Sequence, residues 1–134
     1  MKKKNSNLNN KKTITIVSPT FNESENIEAF ILELLEIRKK LNNFKVDFII
    51  IDNASTDRTI EIIKKFTNKY KFIRVIINTR NFGHIRSPYY GIIQSKSDAT
   101  IYLASDFQDP LELIFDFIKS WKDGYKLVLG IKKS

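Results

Sequence analysis

The 134-residue chain contains no cysteine. That excludes a disulfide framework, a thiolate zinc site and a thiol nucleophile, and it fits a reducing compartment. Only four glycines and three prolines are present, which excludes collagen-like and proline-rich architectures. No apolar run approaches the ~18 residues needed to cross a bilayer. The first residues are basic with no apolar stretch behind them, so a secretory signal is not expected. What remains is 42% hydrophobic and 28% charged residues, the balance of one ordinary folded domain rather than a disordered chain.

The net charge is +8, and its placement decides what it means. Lys2, Lys3, Lys4, Lys11 and Lys12 stand in a leader without a single acid, so most of the excess lies outside a mildly basic body. Residues 1–12 are therefore expected to form a disordered basic leader, and residues 13–134 the folded unit. No nucleic-acid partner is expected. The leader leaves open a peripheral contact with an anionic membrane surface.

Hydrophobic period alternates along the body. Strands are expected at Thr13–Ser18, stopped by Pro19, then at Val46–Ile51, Phe72–Ile77, Thr100–Leu103 and Lys126–Leu129. Helical spacing relates Ile27, Phe30, Ile31, Leu34 and Leu35, a helix expected to open near Asn22 to Ser24. A second helix, capped by Ser55 or Thr56, turns Ile60, Ile63 and Phe66 inward. Ser87–Pro88 reads as N-cap and first helical position, with Tyr89, Ile92 and Ile93 inside. Asp109-Pro110-Leu111-Glu112 reads as a capping box before a helix packing Ile114, Phe117, Ile118 and Trp121. This order predicts an α/β fold, a mostly parallel sheet with helices on both faces. Ligands of such sheets bind beyond the carboxyl ends of the strands.

Polar residues concentrate at those ends: Pro19-Thr-Phe-Asn-Glu23, Asp52-Asn-Ala-Ser-Thr-Asp57, Asn78-Thr-Arg-Asn-Phe-Gly-His84 and Ala104-Ser-Asp-Phe-Gln-Asp109. Carboxylates, amides and an arginine at one edge suit a nucleoside diphosphate. Glu23 and Asp52 could accept from a uracil imide or bridge ribose hydroxyls. Asp106 could hold magnesium or manganese against the diphosphate. Arg80 and the backbone around Gly83 could meet phosphate oxygens. His84, with Arg86, is a candidate for phosphate or acceptor, or else a solvated loop residue. Glu23, Asp52 and Asp106 are expected to line one crevice.

The motifs Pro19–Glu23, Asp52–Asp57, Arg80–Gly83 and Ser105–Pro110 resemble, in order and spacing, those of family 2 glycosyltransferases. The closest resemblance is to the branch with dolichyl-phosphate mannose synthase and undecaprenyl-phosphate sugar transferases. It implies a GT-A, Rossmann-like fold, a nucleotide-sugar donor, a divalent cation and sugar transfer with inversion. The implied acceptor is a polyprenyl phosphate or a glycan, and the expected location is cytoplasmic, with the inner face of the membrane left open. It further implies that Pro19, Thr20, Ser55 and Ser105 join Glu23, Asp52, Arg80 and Gly83 around the nucleotide. Asp106 would bind metal and, with Asp109, serve catalysis, although Asp109 also reads as a helix cap.

Two positions depart from the family pattern. Asn53 stands where a second acid is usual, and Ala104-Ser105-Asp106 stands for Asp-x-Asp. The resemblance stops after Gly130–Ser134, about where the donor-binding half ends, so it covers the N-terminal portion only. Two rival readings are a non-catalytic nucleotide-binding remnant and a basic polyanion-binding protein led by the lysine tail.

Overall fold

The computed structural model describes residues 10–133. Of the expected leader, residues 1–9 lie outside the described residues. Lys11 donates to the Asn42 carbonyl, and the Lys12 carbonyl accepts from the Lys45 N–H.

The elements are β1 (Thr13–Thr20), α1 (Ile27–Lys40), β2 (Lys45–Asp52), α2 (Thr59–Lys69), β3 (Ile73–Ile77), α3 (Gly83–Ile93), β4 (Ala99–Tyr102) and α4 (Leu113–Lys122). The four strands form one parallel sheet in the order β3-β2-β1-β4. The chain builds outward from β1 through β2 to β3 and then crosses back to β4. The reversal places a switch point between β1 and β2 on one side and β4 on the other. Pro19 lies inside β1 rather than ending it. Its carbonyl faces the β4 side and accepts from Ser105 Oγ, and the last backbone bond there runs from the Leu103 N–H to the Val17 carbonyl, two residues before the proline.

Alternation along the strands divides the core. Ile14, Ile16, Phe48 and Ile50 pack with Phe30, Ile31 and Leu34 of α1, Ile63 of α2 and Ile114 of α4. Val17, Ile49 and Ile51 point the other way and are also buried. α3 covers that face, where Gly91 sits against Val17 and Ile51. Helices therefore flank both faces, as the strand–helix alternation predicts.

Helix starts differ from expectation, and the reasons are local. α3 opens at Gly83, not at Ser87, because Asn81 Oδ1 takes the Gly83 N–H and Gly83 adopts φ +89°. Pro88 consequently lies inside the helix. Starting one turn earlier points Ser87, Pro88 and Gly91 at the sheet and leaves Tyr89 and Ile93 outside, contrary to the expected packing. α2 is held at its start by Asp57, which accepts from the Thr59 N–H and hydroxyl, not by Ser55 or Thr56. Three i to i−3 bonds wind Pro110 to Phe115 into a tight lead turn, and Asp109 makes no cap bond.

The expected fifth strand is absent. Lys126–Leu129 pairs with no strand among the described residues, and the segment runs back beside α4, with Gly130 against the Phe117 ring and Lys132 Nζ 3.5 Å from Asp109. Leu127, Leu129 and Ile131 remain exposed. The sequence has strand-like alternation there, but a strand also needs a hydrogen-bonding neighbour.

A Cβ at Gly91 would lie 2.9 Å from Val17 Cγ1 and 3.2 Å from Ile51 Cγ2. Both are β-branched strand residues with little room to turn. Gly91→Ala should lower stability by about 1–2 kcal/mol despite the better helix propensity of alanine, measured by urea denaturation.

Candidate active site

A cleft of about 260 Å³ opens at the carboxyl edge of the sheet, beside the switch point. The β1 end contributes Pro19, Thr20 and, beyond it, Phe21 and Glu23. The β4 end contributes Tyr102, Ala104, Ser105 and Asp106. The first turn of α3 closes one wall with Gly83, His84, Ser87 and Pro88, above Asn53.

The loops that carry these residues are tied to one another. The Asn22 N–H donates to Ser55 Oγ, and Asn22 Oδ1 accepts from the Thr56 N–H. The Glu23 N–H donates to Thr59 Oγ1, and the Ser24 N–H to Asp57. Across the switch point, Ser105 Oγ donates to the Pro19 carbonyl at 2.9 Å. Each of the four strand ends also carries one residue at positive φ: Asn22 (49°), Ala54 (62°), Gly83 (89°) and Phe107 (59°). Three of these are not glycine, so the surrounding bonds must hold the left-handed backbone in place.

Of the residues singled out in the sequence, Pro19, Thr20, Glu23, Gly83, Ser105 and Asp106 come together around the cleft, and His84 joins them. Asp52, Ser55, Arg80 and Asp109 do not line it. Asp52 is fully buried, with Oδ2 accepting from the Ser55 N–H at 2.8 Å and Oδ1 from Ser55 Oγ at 2.6 Å. Asp52 and Ser55 thus fasten the β2 end to the β1 loop. Arg80 stacks on the Phe82 ring at 4.4 Å. The Gly83 N–H is already donated to Asn81. The expected three-carboxylate crevice therefore has two of its acids, Glu23 and Asp106, on the cleft surface.

Six lining residues were not among the sequence candidates: Phe21, Asn53, Ser87, Pro88, Tyr102 and Ala104. Asn53 organises the wall beneath α3. Its Oδ1 accepts from the Phe82 N–H at 2.8 Å and from Asn78 Nδ2, while its Nδ2 donates to Asn81 Oδ1 and the Gly83 carbonyl. Asn78 continues the network to Ser87 Oγ. The recurrence of asparagine at 53, 78 and 81, on two adjacent strand ends, was the available signal. For Tyr102, burial and then the carboxylates of Asp106 and Asp109 push the phenol up, so it stays protonated and able to donate.

Thr20 is 3% exposed and its hydroxyl has no partner. The Ser18 hydroxyl is equally unpartnered but does not line the cleft. An unsatisfied buried hydroxyl at a cleft surface is suited to a polar ligand atom. The first-turn N–H groups of α3 add the positive end of a helix dipole. Among the described residues no three acidic, histidine or cysteine side chains gather into a metal cluster. Asp106, with one oxygen toward the Gln108 N–H, suits an ion that completes its shell with ligand phosphate oxygens, not a protein-only cage.

A sequence profile described as Glycosyl transferase family 2 matches residues 15–133. The chain belongs to glycosyltransferase family 2. It is 33% identical over 117 residues to a prophage bactoprenol glucosyl transferase homolog of Escherichia coli, covering 87% of this chain and 38% of that protein. It is 27% identical over 117 residues to a dolichol-phosphate mannosyltransferase of Pyrococcus furiosus, covering 87% and 32%. Among solved structures, the mannosyltransferase of Pyrobaculum calidifontis, in complex with GDP-Man and Mn²⁺, superposes with TM-score 0.68 at 16% identity. That match covers 81% of this chain and 32% of that one. The fold of this family 2 chain is accordingly GT-A. The chain spans about two-fifths or less of the length of the relatives it matches.

Two measurements probe the loop architecture. Asn53→Asp replaces a donor with an oxygen facing Asn81 Oδ1 and the Gly83 carbonyl. It should cost about 2 kcal/mol at neutral pH by urea denaturation. Asp57 is disfavoured as a charge by burial, but hydrogen bonds from Thr59 and then Ser24 outweigh that and lower its pKa from 3.8 to about 2. Its contribution to stability is therefore complete above the ordinary value and lost as pH falls toward the folded one. Asp57→Asn should be less stable than wild type at pH 7, with the gap closing between about pH 4 and 2 in paired denaturation curves.

Proposed function

We propose that this chain binds the nucleoside diphosphate of a sugar donor in the strand-end cleft and supports transfer of the sugar to a polyprenyl phosphate. The observation that carries the reading is one cleft with Glu23 and Asp106 on separate loops and the unpartnered Thr20 hydroxyl between the strand ends. The names of the relatives, a bactoprenol glucosyl transferase homolog and a dolichol-phosphate mannosyltransferase, support the acceptor class.

Glu23 orients the nucleoside, and Thr20 donates to a ligand oxygen. Asp106 would hold a divalent cation, magnesium or manganese, which supplies charge neutralisation to the departing diphosphate. The Tyr102 phenol and the α3 N-terminus face the same negative charge as donors. An acceptor phosphate oxygen attacks the anomeric carbon. The bond from that carbon to the diphosphate breaks, and its electron pair leaves with the nucleoside diphosphate. An acceptor that is already an anion needs no general base. The reaction is placed at the inner face of the cytoplasmic membrane, where such a lipid phosphate is accessible. No helix among the described residues is long and apolar enough to cross a membrane.

A second reading is a nucleotide-binding module without transfer, which would use the same cleft and its carboxylates. Calorimetry with UDP and GDP, with and without manganese, tests the shared part. Asp106→Asn should lose the metal-dependent affinity by about tenfold or more. Equal metal-dependent affinity in both proteins removes Asp106 from its role. Product formation on added polyprenyl phosphate then separates transfer from binding alone.

A further inference from the structure

Nothing among the described residues covers the outer face of α3. Ile85, Tyr89 and Ile93 recur at i, i+4 and i+8 on one side of the helix and are 72%, 64% and 53% exposed. Of the three buried residues between them, Gly91 packs on the sheet, while Ser87 and Pro88 line the cleft from the inner side of the same helix. α3 is also the only one of the four described helices without an acidic residue: α1 carries Glu28, α2 Glu61 and α4 Asp116. No acid occurs from Ile62 to Ser97, and the part of this stretch around α3 carries exposed Arg80, Arg86 and Lys96.

We infer that this face of α3 is an interfacial membrane-contact surface that sets the cleft against an anionic lipid bilayer. The inference rests on the proposed use of a lipid-linked acceptor and adds where the bilayer meets the protein. A helix lying in the interface plane buries an apolar stripe to the depth of the headgroups and flanks it with cations. Ile85, Tyr89 and Ile93 form the stripe, and tyrosine suits the boundary because its ring is apolar and its hydroxyl stays wet. Arg80, Arg86 and Lys96 face anionic headgroups without a competing carboxylate on the same stretch. Since the opposite side of α3 is the cleft wall, a lipid phosphate at headgroup level lies within one helix diameter of the donor site. The charge asymmetry favours lipid over a second copy of the chain, because two such cationic faces would repel.

Co-sedimentation of the full chain with phosphatidylcholine vesicles, with and without phosphatidylglycerol, tests this surface. Wild type should bind the phosphatidylglycerol vesicles. The double variant Ile85→Glu, Tyr89→Glu should lose at least about tenfold in partition. A variant with Lys2, Lys3 and Lys4 changed to glutamine should keep most of the binding. Equal binding by the α3 variant, or loss of binding on removing the three tail lysines, overturns the inference. So does a wild-type dimer in sedimentation velocity that the α3 variant abolishes while neither protein binds vesicles. UDP calorimetry on the α3 variant serves as the folding control and should match wild type. If wild type binds vesicles through α3 but binds no nucleotide, the donor-site reading fails and the membrane surface stands.

Discussion

Parallel pairing constrains this molecule more than any single contact. With β1 to β4 running one way, every strand delivers its last residue to the same edge, and every return passes through a helix on one face or the other. Residues more than 80 positions apart, such as Pro19 and Ser105, become hydrogen-bonding neighbours for that reason alone. The reversal of strand order at β1 then opens a gap between loops that bend away from each other, and the cleft is that gap.

The polar groups at this edge divide into two sets. Asp52, Ser55, Asn22, Asp57 and Thr59 bind one another and hold the β1 and β2 loops in register. Glu23, Asp106 and Thr20 line the cleft outside that set. The buried set fixes the open set. Left-handed backbone at Asn22, Ala54 and Phe107 is tolerable where such bonds surround it, and it turns each loop sharply enough to keep the cleft from filling with side chains.

Strand positions and the two-faced sheet were legible because Ile14–Val17 and Val46–Ile51 are β-branched and apolar, a pattern that burial on both sides requires. Helix starts were less legible. Ser87–Pro88 has the chemistry of a helix opening, yet Asn81 and the permissive Gly83 begin the helix a turn sooner, and that shift exposes Tyr89 and Ile93. Asp52 and Asp106 look alike in sequence, each an acid just past a strand. Whether such a side chain bends back to its own turn or faces outward depends on the third residue along, and Ser55 captures Asp52. Lys126–Leu129 has the alternation of a strand without a pairing edge, a condition no local pattern reveals.

The wall under α3 hangs on an amide, Asn53. An amide has no proton to gain or lose, and both its ends are engaged at Asn53. The α3 wall therefore keeps its hydrogen bonds as pH falls, whereas the β1 loop, tied through the Ser24 N–H to Asp57, loses a carboxylate anchor. Two supports of one cleft thus answer differently to acid.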